Sequence, residues 1–278
     1  PNPDPNPNPD PNPEPPPEDP EDIPDDPGGE EPNPGNNNSG TVYGDFETGL
    51  MKGARAAMTS TMLGWRDNAA GVIHRIDALR NKTGDPGDGI WAKAHRGKLR
   101  YDSESPLTDN YQAIEVGADR YLGHGWLAGI GVDYRTGNAG YAYGGHGKEK
   151  IYSLNFYGSK ETGKNSYVDI TAKAGHVNND FTVYNSEQKR LEGEYSGRGY
   201  SFSLQSGKRF GKNSGYAEPQ VQLTWAHLNG SDYDAMSGTE KLRINQHDFD
   251  SLVGRVGVEF GKKSESSDLY ARFSLNHE

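Results

Sequence analysis

The chain has no cysteine and, in 278 residues, no apolar run approaching the length of a membrane helix. Without thiols it has neither a disulfide framework nor a cysteine-ligated zinc or iron–sulfur centre. A spanning helix needs about 20 consecutive apolar residues, so a helical membrane protein is excluded as well. Apolar residues make up only 31% of the whole, below the ~45–50% of an ordinary globular composition that also counts glycine. No secretory leader is recognisable at Pro1, which reads either as a natively unsecreted protein or as an internal fragment. A basic surplus is missing too. The net charge is −11, but eleven acidic side chains and no basic one fall in residues 1–36, leaving 29 of each sign elsewhere. Nucleic-acid binding therefore lacks its electrostatic footprint.

What is present is unevenly distributed. Fifteen of the eighteen prolines lie in residues 1–36, beginning Pro1-Asn2-Pro3-Asp4-Pro5-Asn6-Pro7. Proline fixes φ and removes a donor, so neither helix nor sheet is expected there. Residues 1–45 read as a disordered linker, extended and polyproline-like, reaching roughly 110 Å at ~3.1 Å per residue over its Pro-rich part. Its Asp and Asn residues lack the spacing around a turn glycine that a calcium loop needs.

A helix is predicted from Leu50 to Arg80, free of proline and rich in Ala, Leu, Met and Arg. Thr48 is placed to cap its start, with Gly84 and Pro86 at its end. Lys52, Arg55, Arg66, Asp67, Arg75 and Asp77 rule out a lipid-facing span, while Val72, Ile76 and Leu79 form one apolar stripe.

From Asp88 the pattern changes to period two, the signature of strands with one apolar and one wet face. Trp126, Ala128, Ile130, Val132 and Tyr134 alternate with Leu127, Gly129, Gly131, Asp133 and Arg135. Val168, Ile170, Ala172 and Ala174 alternate with Asp169, Thr171, Lys173 and Gly175. Nine strands are expected, at about 88–101, 110–121, 125–136, 149–160, 165–178, 194–210, 215–229, 247–262 and 267–277. Short connections alternate with long ones at 137–148, 179–193 and 230–246, as in a meander with one rim in open solvent.

A soluble β-sandwich would also alternate. Here the strands have ten residues or more, matching a tilted crossing of ~9–11, whereas globular strands average ~5–6. Trp91, Trp126, Tyr134, Trp225 and Phe260 stand on the apolar face near strand ends, as an aromatic belt would. The opposite face combines glycine with charge. The expected fold is therefore all-β, a transmembrane antiparallel meander β-barrel preceded by an N-terminal helix.

The stretch Leu50-Met51-Lys52-Gly53-Ala54-Arg55-Ala56-Ala57, then Trp65-Arg66, Arg75-Ile76-Asp77-Ala78-Leu79-Arg80 and Gly89-Ile90-Trp91-Ala92-Lys93 resembles the start of an autotransporter translocator, the β-domain of type Va secretion. Glu218-Pro219-Gln220-Val221-Gln222-Leu223 and Arg255-Val256-Gly257-Val258 resemble its mid-barrel strands. The likeness covers about 46–278. It implies twelve strands around a pore helix, set in the bacterial outer membrane and conveying or anchoring an N-terminal passenger. It further implies the passenger in cis, outer-membrane lipid, the barrel-assembly machinery and periplasmic chaperones as partners, with the protein a monomer. Nine visible strands against the family's twelve, and the missing terminal aromatic strand, read as incompleteness at the C-terminal end. The domains are then a linker (1–45), a pore-spanning helix and connection (46–86) and a partial barrel (87–278). A passive outer-membrane pore or adhesion-type barrel is the alternative, and a soluble secreted β-sandwich a further one.

No catalytic, cofactor or metal constellation stands out. The eight histidines have no HExxH spacing, and GxSxG and P-loop patterns are missing. Asn37-Asn38-Ser39 fits a glycosylation sequon only by coincidence, given the bacterial resemblance. The site expected is electrostatic. A helix in the lumen requires acceptors for Lys52, Arg55, Arg66 and Arg75. The candidates are the lumen-facing Glu115, Asp119, Asp133, Asp169, Glu218 and Glu259. Each pair in a hydrated bore contributes on the order of a kcal/mol or less, and plain solvation of the charges is the alternative. Some relatives cut their passenger free at an asparagine of the pore helix, assisted by an acidic barrel residue. Asn68 is the asparagine inside this helix before Asn81, but Arg66-Asp67-Asn68-Ala69 does not match the expected junction, so self-cleavage is not expected.

Overall fold

A computed structural model describes residues 48–69, 71–81, 88–102, 105–212, 215–263 and 268–278, all within the compact unit Tyr43–Glu278. The expected linker over 1–45 lies outside the described residues.

Two helices precede the strands, α1 (Gly49–Ala69) and α2 (Ile73–Asn81). Thr48 caps α1, its Oγ1 accepting from the Met51 amide at 3.3 Å. The single helix expected from Leu50 to Arg80 is broken between them. The carbonyl of Asn68 takes a short-range bond from the Gly71 amide (3.2 Å) and another from Lys173 Nζ (2.6 Å). A carbonyl turned toward a wall lysine helps end the helical ladder there.

The strands are β1 (Gly89–Tyr101), β2 (Leu107–Gly123), β3 (Trp126–Tyr141), β4 (His146–Gly163), β5 (Ser166–Tyr184), β6 (Arg190–Lys208), β7 (Phe210–Lys212), β8 (Gly215–Leu228), β9 (Ser231–Ser237), β10 (Glu240–Gln246), β11 (Phe249–Lys263) and β12 (Asp268–His277). Nine of them follow one another in the order β1-β2-β3-β4-β5-β6-β8-β11-β12, antiparallel at every step. One end of the sheet has tight turns, with Gly123, His124 and Gly125 all at positive φ (82°, 52° and 76°). The other end carries the longer connections. These contain more strand than expected. β3 to β6 run on well past the apolar band, and the long connection expected at 230–246 is a β9–β10 hairpin that joins β6 through Glu192 and Gly193. The extension is held from inside by Phe181, Val183, Leu191, Tyr195, Tyr233 and Ile244, all buried in one cluster with α1.

The two faces of the sheet are opposite in kind. Ile130, Val132, Trp225, Leu223 and Val256 are 41–55% exposed, whereas Glu115, Asp169, Glu218 and Glu259 are at most 2% exposed. A soluble sandwich would bury the first set and expose the second. Contacts to the helices and the turn between them come from wall strands all along the order, including Trp91 of β1, Glu115 of β2, Lys173 of β5 and Arg272 of β12. The sheet is therefore curled around the helices.

Candidate functional site

The site is the bore and the two helices filling it. α1 lies with Gly49 against Asn185, at the long-connection end, and α2 reaches Tyr167 and Asp169 near the tight-turn end. Along α1 the fit is one of small residues and aromatics. Ala54 and Ala57 are completely buried, and a Cβ on Gly53 would lie 2.7 Å from Val183 Cβ. Trp65, also completely buried, packs against β5 and β6. A Cβ on Gly175 or Gly199 would come within 2.8 Å of its ring atoms, so those two glycines make its slot. Asn179 Nδ2 and the Tyr195 hydroxyl both bond the Ala57 carbonyl (3.1 Å each) and Thr61 Oγ1 (2.6 and 2.7 Å). Tyr195 stacks on Tyr233, rings 5.0 Å apart. Tyr233 lies on the β9–β10 hairpin beyond the band, where burial pushes its phenol pKa up.

Beside Gly64 the wall carries Arg135 between Asp109 (2.9 Å) and Glu149, all three at most 1% exposed. The guanidinium lies 4.1 Å from the Tyr111 ring centroid. A Cβ on Gly64 would lie 2.7 Å from Arg135 Nη1, so glycine lets the helix backbone settle on this charged cluster.

Around α2 ion pairs dominate. Arg75 Nε meets Asp119 at 2.9 Å. Arg80 reaches Asp169 (2.5 Å) and Asp77 (2.9 Å) and stacks on Tyr167, its guanidinium carbon 3.2 Å from the ring centroid. Asp77 also accepts from Gln205 (2.9 Å) and pairs with Arg272 (2.8 Å), which in turn meets Glu259 (2.6 Å). Val72, Ile76, Trp91 and Tyr157 form a small apolar cluster at its start.

All six expected acceptors face inward and are buried. Of the four expected helix cations, Arg75 meets one of them. Arg66 pairs instead with Glu278. Lys52 is half-buried in a cleft with Tyr143 and Tyr184, and Arg55 is exposed. The wall supplies much of the neutralising charge itself. Lys93 meets Glu115 (3.2 Å), Lys173 meets Asp133 (3.0 Å) and Arg209 meets Glu218 (2.6 Å). Arg80, Asp77 and Arg272 are further site residues, beyond those expected from the sequence. Arg80 stands in the quoted helix motif, whereas Arg272 is brought to Glu259 by the β11–β12 register, which only the folded sheet supplies.

Trp91 corrects the aromatic belt. It is 7% exposed, and its indole N–H donates to the Tyr157 hydroxyl at 2.7 Å inside the bore. Gly117 and Gly131 on the neighbouring strands leave the room it fills. Trp126, Tyr134, Trp225 and Phe260 face outward, 37–50% exposed.

Asn68 is not idle in this arrangement. Its side-chain amide donates to Asp133 Oδ2 at 3.0 Å, while its backbone carbonyl faces Lys173 Nζ at 2.6 Å. Ser153 and Asn155 complete the hold on Asp133 (2.6 and 2.8 Å).

An apolar exterior, a charged interior and a helical plug define a membrane-type β-barrel wall with an occupied bore. The autotransporter beta-domain family model matches residues 90–278, and the chain belongs to that family. It is similar to the pertactin autotransporter of Bordetella parapertussis, 28% identical over 227 residues, covering 78% of this chain and 24% of that protein. The chain thus spans about a quarter of the curated relative's length. Two solved structures share the fold. They are the β-domain of the Bordetella autotransporter BrkA (22% identity, TM-score 0.58, 68% of this chain and 80% of that one) and the NalP translocator domain of Neisseria meningitidis (13% identity, TM-score 0.65, 80% and 78%).

Proposed function

We propose that the chain inserts into the bacterial outer membrane as the translocator of a longer protein and carries an N-terminal passenger to the cell surface. The observation behind this reading is the plug, whose N-terminus stands at the long-connection end. In outer-membrane barrels that end is extracellular, so chain preceding α1 would emerge outside. In this reading 1–45 is the spacer, 46–86 the plug and its connection, and 87–278 the barrel wall. The barrel-assembly machinery and periplasmic chaperones are the expected helpers, and neither a cofactor nor an external substrate is involved. The test is surface exposure. In a Gram-negative host, protease added outside intact cells should remove a reporter placed ahead of Pro1 and leave the wall protected. The passive-pore alternative separates on conductance. A translocator conducts little until residues 49–81 are deleted, and equal conductance with and without them would overturn the plug reading.

A second reading rests on the surroundings of Asn68. The Nδ2 atom would attack the carbonyl carbon of its own residue, forming a succinimide C–N bond while the bond to the Ala69 nitrogen breaks. Asp133 would take the Nδ2 proton and hand it to the leaving amine, and Lys173 would hold the developing oxyanion. Water then opens the imide. Such a single-turnover cut would release α1 with everything before it. Mass spectrometry of the intact protein after folding should find a chain beginning at Ala69, and none in N68Q. A wild-type chain intact through Asn68 would rule out the cut.

A further inference from the structure

Outside the bore, the cation distribution is lopsided. The ladder registers put Ala94, Ile114, Tyr134 and Tyr152 of β1 to β4 in one row on the outer face. One outward position nearer the long-connection end the row reads Arg96, Gln112, Thr136 and Lys150. The next reads Lys98, Asn110, Asn138 and Lys148. Arg100 follows on β1. These five cations share the face with amides, hydroxyls and glycine, and none of these rows holds an acid on β1 to β4. Arg96, Lys98, Arg100 and Lys148 are exposed and Lys150 half-buried. Among the described residues none of the five is in an ion pair, in contrast with the inward Lys93 and Lys173. The first outward acid along the Lys148 row is Asp180 on β5, where the face becomes mixed with Glu192, Glu194 and Arg198. Asp102 lies past the end of β1.

The cations stand directly on an apolar floor. A groove lined by Ala94, Arg96, Gln112, Ile114, Tyr134 and Thr136 joins the first two rows. A second runs over Ile114, Val116, Val132, Tyr134, Tyr152 and Leu154. The Tyr134 and Tyr152 rings, 4.9 Å apart, mark the boundary, as aromatics do where hydrocarbon meets headgroups.

We propose that this face of β1–β4 binds a phosphorylated, multiply acylated glycolipid of the outer leaflet, with its phosphates on the Arg96–Lys150 and Lys98–Lys148 rows and its acyl chains along the grooves below. The proposal rests on the outer-membrane reading above, which puts the long-connection end outward. Arg and Lys supply charge-assisted bonds to phosphate, and Asn110, Gln112, Thr136 and Asn138 are suited to sugar hydroxyls. A soluble acidic protein would match the cations but not the floor, which lies at hydrocarbon depth.

For the test, the intact protein is inserted into phosphatidylethanolamine vesicles containing either bis-phosphorylated lipid A or the same lipid stripped of phosphate. Retained lipid is measured by native mass spectrometry. The phosphorylated lipid should be retained at least tenfold better, without displacement by millimolar inorganic phosphate. Each interfacial cation contributes about fivefold near an anionic surface, so R96Q/K98Q/K148Q/K150Q should abolish the preference while the folded, heat-modifiable gel band persists. Equal retention of the two lipids by the wild type, which needs no variant, overturns the proposal. An unchanged preference in the quadruple variant, or displacement by free phosphate, overturns it too. A wild-type chain that inserts but has no preference defeats this proposal alone, whereas one that fails to insert in either vesicle defeats the membrane reading with it.

Discussion

α1 and α2 fill the same bore by different physics. α1 approaches the wall closely because its contact residues are Gly53, Ala54, Ala57 and Gly64, and its one large anchor, Trp65, drops into a slot made by Gly175 and Gly199. Dispersion and shape hold it, with the Ala57 carbonyl and Thr61 hydroxyl secured by Asn179 and Tyr195. α2 adds charge to its apolar contact with Trp91 and Tyr157, through Arg75–Asp119, Arg80–Asp169 and Asp77–Arg272. A packed contact is lost steeply with small displacements, whereas an ion pair tolerates a water molecule between its partners. A plug tight at one end and electrostatically tethered at the other can loosen in two separable steps.

The largest break in this contrast should come from W65A. Removing a fully buried indole from a rigid slot costs about 3–5 kcal/mol, and hydrogen exchange should then show α1 unprotected while the amides of α2 stay slow. R80M should act the other way. It leaves Asp169, which is completely buried, without its cation, a loss of about 3 kcal/mol that should free α2 before α1. Equal loosening of both helices by either variant would show them to be one cooperative unit. R66A should do least. Arg66 and Glu278 have side chains 36% and 44% exposed, and such a pair contributes about 0.5 kcal/mol or less and fades with salt. A loss of more than 2 kcal/mol in R66A, measured by denaturant unfolding in detergent micelles, would mean that exposure is a poor guide to pair strength in this bore.

Much of the wall could be read along the chain. Alternation placed Asp133, Asp169, Glu218 and Glu259 on the inner face because side-chain direction in a strand repeats every two residues, whatever the strand pairs with. The same parity would have placed Trp91 with Lys93 and His95 inside. Tryptophan near a strand end suits a headgroup belt and so points outward from sequence alone, and the space left by Gly117 and Gly131 on β2 and β3 becomes apparent only when those strands are adjacent. The end of α1 was hidden for a similar reason. Gly71 alone does not forbid a helix, and Lys173, which takes the Asn68 carbonyl, is 105 residues away. The β9–β10 hairpin falls in the long connection expected at 230–246, although Tyr233, Ala235 and Ile244 face the cluster that α1 completes.

The amino-acid order alone determined which side chains face lipid and which face the bore, since that follows from backbone geometry within each strand. Only the folded sheet decided which charge meets which, where the plug breaks and what surrounds Asn68. Those depend on strand register and on a helix threaded through the interior, and such distances are set by pairing between residues that the chain itself holds far apart.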